Sequence, residues 1–218
     1  MSIINTQPQR NLFGDLSLWF LLLSNLATVF SATKENWNLL TIMWIYWFQS
    51  ITIGFFNFIR ILQLKEFSTE GFKINDKPAQ PTQSTKIFTA FFFLFHYGLF
   101  HFVYMTFLLT GILTKEYGNL PNFADLIHVF LTSLLFFINH LFSYVYNTPK
   151  DTKRQNIGAL MFYPYARIIP MHIIILAPVL GSAFTGALPL FLLLKTFADC
   201  IMHIVEHNVL RKGELQEA

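Results

Sequence analysis

Cysteine is nearly absent. The one thiol, Cys200, excludes an intrachain disulfide and a Cys-based metal centre. It stands in an apolar stretch, where an inert buried thiol is expected. Charge is scarce too: Asp, Glu, Lys and Arg make up 12% of the chain, against roughly a quarter in a soluble domain. The net charge of +3 is no nucleic-acid footprint. Its basic residues fall between apolar runs, where membrane topology accounts for them. There is no Gly-rich phosphate loop, no internal repeat and no polar stretch long enough for a separate soluble domain. Apolar residues fill the space instead: 54% hydrophobic, 17% aromatic and 26 Phe. That is the composition of a chain whose outside is lipid, so the bilayer is its first expected partner.

A membrane-spanning helix needs about 20 mostly apolar residues. Six segments qualify: 12–32, 37–62, 87–112, 123–146, 159–182 and 187–209. The expected fold is therefore all-α and integral to the membrane, a single transmembrane domain over 1–218 built as a bundle of about six helices. Val29-Phe30-Ser31-Ala32 resembles a signal cleavage site, but the apolar run is long for a signal peptide, and a retained helix is expected. Pro164, Pro170 and Pro178 predict a kinked fifth helix, since each ring removes a backbone donor.

Orientation follows from where Lys and Arg fall. One side carries Arg10; Arg60, Lys65, Lys73, Lys77 and Lys86; Lys150, Lys153, Arg154 and Arg167; and Arg211 and Lys212. The other carries only Lys34 and Lys115. Both termini are expected in the cytoplasm, as are the loops 63–85 and 147–156. The first of these loops, with Pro78, Pro81 and many charged residues, reads as mobile.

The sixth segment departs from this apolar plan. Lys195, Asp199, His203 and His207 recur at steps of four, and Glu206 follows His203 by three. At helical spacing they share a face, opposite Leu193, Leu194, Phe197, Ile201 and Val205. Ionisable groups at membrane depth cost several kcal/mol unless they face protein or water, so they mark a functional site. At ~1.5 Å per residue, other polar groups fall at overlapping depths: Gln49, Asn57 and Arg60; His96 and His101; Asn139 and His140; Arg167 and His172. If those faces converge, they enclose a polar chamber in the cytoplasmic half. Plainer readings exist. His101 and His172 suit interhelix hydrogen bonds, Lys195 with Asp199 suits an ion pair one turn apart, and His128 suits the outer surface. Tyr144, Tyr146, Tyr163 and Tyr165 suit an aromatic belt.

Two His four apart can share a metal ion, with a carboxylate one turn earlier ligating or orienting them. His203, His207 and Asp199 are the first candidates, with His96 and His140 able to complete the set. A divalent transition metal is expected, zinc before iron or manganese for such ligands, in a site able to activate water for an intramembrane hydrolase. Arg167 suits an anionic group of a substrate or a partner for Glu206. The alternatives are a small proton-coupled transporter or channel subunit, for which a homodimer could supply a missing half, and a structural protein without a site.

Four resemblances bear on this. His203-x-x-Glu206-His207 resembles the inverted zincin motif, which implies zinc on both His and Glu as general base. His96-x-x-x-x-His101 in a six-helix chain resembles rhomboid proteases; their Gly-x-Ser-Gly nucleophile motif is not matched by Gly181-Ser182-Ala183-Phe184, so only architecture is implied. The His203/His207 pair in the last helix is similar to that of the adiponectin-receptor and alkaline-ceramidase zinc hydrolases. The widest pattern runs Trp47-Phe48-Gln49-Ser50 with Asn57, Phe95-His96-Tyr97-Gly98 with Phe100-His101, Asn139-His140, Pro164-Tyr165-x-Arg167-Ile168-x-Pro170-x-His172 and Lys195-x-x-x-Asp199-x-x-x-His203. It resembles a family of prokaryotic multi-pass membrane proteins, a domain of unknown function. That resemblance implies the prokaryotic cytoplasmic membrane and carries no activity.

Overall fold

The computed structural model describes residues 15–114, 122–151, 155–180 and 188–212. Side chains are described in these ranges except at 114, 149–151, 170–171, 173–180, 188–191, 194 and 206–212. Six helices occupy them: α1 Leu16–Lys34, α2 Leu39–Gln63, α3 Gln83–Thr114, α4 Phe123–Asp151, α5 Ile157–Leu180 and α6 Leu188–Lys212. Four, α1 to α4, are long and apolar enough to cross a membrane.

Each of the first five helices starts where a short polar side chain can satisfy an orphan backbone N–H. Asp15 accepts from Ser17 N at 3.1 Å, and Asn38 from Thr41 N at 2.7 Å. Thr82 accepts from Thr85 N at 3.2 Å, and Asn156 from Ala159 N at 3.0 Å. Asn122 and Asp125 cap each other's backbone reciprocally, at 2.9 and 2.8 Å. These caps set the helix boundaries that hydropathy alone leaves loose.

The central helix is α2, packed on α3, α4 and α5; α1 packs on α4 and α6, and α6 closes on α5. Gly54 lets α2 and α3 meet: a Cβ there would lie 2.4 Å from the Tyr97 ring. Small residues at such crossings are how membrane helices approach closely. The polarity is inverted relative to a soluble bundle. Large apolar side chains such as Phe95 (74% exposed), Phe102 and Phe130 face outward, while Asn25, Gln49, Asn139, Asn147, Lys195 and Asp199 are buried. Water would make that outer surface costly, whereas lipid does not.

The segment 63–85, read from composition as mobile, is folded. Its strands β1 Phe67–Ser68, β2 Lys73–Ile74 and β3 Lys77–Pro78 are joined after α4 by β4 Gln155–Asn156. β2 and β3 form an antiparallel pair about Asn75 and Asp76, both with positive φ (50° and 61°). A two-residue hairpin turn of that hand requires residues that tolerate the left-handed region. β1 pairs in parallel with β4, and Asn156 Nδ2 donates to Glu70 O at 2.9 Å. Long-range pairing of this kind leaves no local periodicity to detect. Lys153 and Arg154, the turn 181–186, Arg10 and Lys115 lie outside the described residues.

Candidate functional site

The row on α6 meets α2 first. Lys195 Nζ donates to Asp199 Oδ2, one turn along, and to Gln49 Oε1. Gln49 Nε2 in turn donates to Asp199 Oδ2 at 3.1 Å. This ring of bonds fixes the amide orientation, because a flipped Gln49 would turn its NH2 against the ammonium. Gln49 Nε2 also lies 3.4 Å from His140 Nε2. The ammonium sits 4.2 Å from the centre of the Tyr46 ring, a cation–π contact strengthened by burial. All three polar groups are inaccessible, Asp199 at 1%.

One turn nearer the α6 C-terminus, His203 enters a second network. Ser17 Oγ donates to Asp15 Oδ1 at 2.6 Å. With its proton so placed, Ser17 Oγ accepts from His203 Nε2 at 3.1 Å and from Asn147 Nδ2 at 2.9 Å. His203 Nε2 is 3.8 Å from Asp15 Oδ2. Ser17 is thus an acceptor hub rather than a base-activated nucleophile. Asn147 also donates to Ser143 Oγ at 3.2 Å. The sequence reading passed over Asp15, Ser17 and Asn147. The cap signature Asp-x-Ser ahead of an apolar run was the signal that could have found the first two.

Between these networks lies a cavity of about 40 Å³, where roughly 10–15 Å³ suffices for one water. Its walls come from four helices: Ile53, Phe56, Asn57 and Arg60 on α2; His140, Ser143 and Tyr144 on α4; Pro164 and Arg167 on α5; His203 on α6. Two guanidiniums and two imidazoles share the lining, and among the described residues no carboxylate belongs to it. Asn57 is oriented by donating to Leu160 O at 3.1 Å. Tyr144 stacks on Phe56, ring centres 5.2 Å apart, and donates to Gln63 Oε1. Tyr144 therefore belongs to the cavity as well as to an aromatic belt. The sequence puts Arg60 among the groups at chamber depth without singling it out as a ligand, and it passes over Ser143.

Other candidates fall elsewhere. His96 does not line the cavity: its Nδ1 meets Tyr165 OH at 2.9 Å, between Phe92 and Phe100. His172 meets Tyr104 OH. His101 is buried against α2, with Nε2 2.8 Å from Ser50 Oγ and Nδ1 2.8 Å from Tyr97 O. With Nδ1–H donating to that carbonyl, Nε2 accepts from Ser50. The Tyr97 hydroxyl also reaches Ser50, which makes this an interhelix clamp. Asn139 donates to Ser24 Oγ at 3.3 Å, joining α4 to α1. His128 stands apart, 3.2 Å from Glu35 and against Trp37.

The structure brings together Gln49, Asn57, His140, Arg167, Lys195, Asp199 and His203, and separates His96, His101, His172 and Asn139 from the cavity. The side chains of Glu206 and His207 lie outside the described residues. Among the described residues, no group of three or more His, Cys, Asp or Glu is placed to hold a metal ion. No curated protein and no solved structure matches the chain, so the zinc-hydrolase and rhomboid resemblances gain no support. The multi-pass pattern fares differently: one family model matches residues 8–215, and the chain belongs to that family, a family of unknown function (DUF6498).

Proposed function

We propose that the protein is an integral membrane protein whose polar chamber binds the anionic group of a ligand, in a single domain that crosses the bilayer six times with both termini and both basic loops in the cytoplasm. The observation that carries the reading is the cavity lining: Arg60, Arg167, His140 and His203 converge there from α2, α4, α5 and α6, with no carboxylate lining it among the described residues. Guanidiniums are weakly hydrated, always charged and fork-shaped, which suits them to hold an oxyanion away from bulk water. The Lys195–Asp199–Gln49 cluster adjoins it through His140, 3.4 Å from Gln49 Nε2, and keeps its own charges paired. The lysine and arginine bias supports a chamber in the cytoplasmic half.

The test is ligand-induced stabilisation of detergent-purified protein. Anything that binds the folded state raises its apparent stability by mass action. Small oxyanions at constant ionic strength should raise the melting temperature of wild type, and Arg167→Gln should abolish the rise. Equal melting curves with and without every oxyanion, whether free in solution or carried on a lipid headgroup, would end this reading.

A second reading, a divalent transition metal with zinc preferred, has one observation in its favour: two imidazoles, His140 and His203, line the same space. It requires a further donor such as His207. It also competes with the bonds that Asp199 makes to Lys195 and Gln49. An ammonium already bound to that carboxylate repels a second cation.

A further inference from the structure

We infer that the anionic group taken by this cavity is a phosphate, carried either as the free ion or on the headgroup of a lipid. The inference rests on the anion reading above and narrows it. A carboxylate is planar and offers two oxygens, so its donors gather near one plane. A phosphate presents three or four oxygens pointing tetrahedrally, and is best met from several sides.

The lining is distributed in that second way. Arg60 and Asn57 come from α2, Ser143 and Tyr144 from α4, Arg167 from α5 and His203 from α6. Arg60 and Asn57 are one turn apart on one helix, so they approach from a single wall. Arg167 approaches from another. Ser143 Oγ accepts its bond from Asn147, which leaves its own hydroxyl proton to donate. Asn57 gives one amide hydrogen to Leu160 O and retains a second. The guanidiniums and imidazoles already make contacts within the bundle, and the ligand joins that network rather than filling an unpaired site. A space of about 40 Å³ is scaled to a group rather than to a whole solute. Two guanidiniums match the charge of roughly −1.5 to −2 that a phosphate monoester carries near neutral pH.

The experiment uses the full chain purified in detergent, with two pairs of probes. Inorganic phosphate is compared with acetate at equal ionic strength, by equilibrium dialysis and thermal unfolding. Phosphatidic acid is compared with diacylglycerol, by native mass spectrometry of the protein with each lipid, since these differ only in the phosphate. The expected result is binding of at least one phosphate-bearing probe, with acetate and diacylglycerol at least about tenfold weaker. Arg60→Gln and Arg167→Gln should each weaken that binding by about tenfold or more, as expected when a charge-assisted hydrogen bond is lost. Because Arg167 is buried and its loss could unfold the bundle, Ser143→Ala serves as the gentle variant and should weaken binding several-fold while the protein stays monodisperse. Lys34→Gln, remote from the cavity, should bind as wild type.

Binding of inorganic phosphate assigns the free ion, and binding of phosphatidic acid alone assigns the lipid. Acetate binding as well as or better than phosphate would overturn the phosphate inference and leave the anion reading standing. No binding of any of the four probes would overturn both. Phosphate binding that survives Arg60→Gln, Arg167→Gln and Ser143→Ala alike would place the ligand elsewhere and overturn the inference.

Discussion

Lys195 and Asp199 form a buried ion pair one helical turn apart, with their side chains 8% and 2% exposed. Two charges removed from water at this depth are tolerable only together. Their mutual attraction and the Gln49 bonds offset a desolvation cost of several kcal/mol per ion.

The first prediction follows from that pairing. Asp199→Asn or Lys195→Met alone should destabilise the protein by about 3–5 kcal/mol, because each leaves one buried charge uncompensated. The double variant should recover much of that loss, since no charge remains. Unfolding of the two single variants and the double variant forms a thermodynamic cycle. Additive losses, with no recovery in the double, would mean the pair is not coupled.

Topology is the second. Reporter fusions after Gln83 and after the C-terminal residue should both report the cytoplasm, from the bias of Lys and Arg towards one side. Reporters on opposite sides would require an odd number of spans between the two fusion points, and the six-span arrangement would fall.

Much of the architecture was legible because hydrophobic length is a local property. The six apolar runs became six helices, and the cap residues Asp15, Asn38 and Asn156 needed only reading in place. The row Lys195, Asp199, His203 was legible for the same reason, since spacing fixes a shared helix face. Rotation of one helix about its axis relative to another leaves no local trace. Depth alone therefore put His96 beside His140 and His203, whereas α3 turns it towards Tyr165 on α5. Arg60 shows the converse: its depth and face were legible, but only packing of α2 against α4 and α5 brings it to the same cavity as Arg167. The fold of 63–85 was illegible because β1 pairs with β4, beyond two intervening helices.

A third prediction concerns the α2–α3 crossing. Gly54→Ala places a methyl 2.4 Å from the Tyr97 ring, and Tyr97 is itself held by Ser50. The ring cannot withdraw without breaking that clamp. The expected cost is about 1–3 kcal/mol, the usual range for overpacking. Pairing Gly54→Ala with Tyr97→Leu should restore part of it, read as recovery of the unfolding midpoint. A midpoint unchanged in Gly54→Ala would show that the helices are not in close contact there.

The last prediction separates the anion from the metal through two histidines. His203 lines the cavity and joins Asp15 and Ser17, whereas His96 lies apart with Tyr165. On the anion reading, wild type carries no stoichiometric transition metal by elemental analysis, and a chelator leaves its melting temperature unchanged. Oxyanion stabilisation should then weaken in His203→Ala and persist in His96→Ala. His203→Ala should also destabilise the unliganded protein by about 1–3 kcal/mol, the cost of stranding buried hydrogen-bonding partners. On the metal reading, the same variant loses bound ion and stability together, and chelation of wild type reproduces the loss. A stoichiometric ion that vanishes in His203→Ala, with melting lowered equally by chelator, would decide for the metal. Oxyanion stabilisation unaffected by His203→Ala, with His96→Ala abolishing it, would move the site to the α3–α5 face.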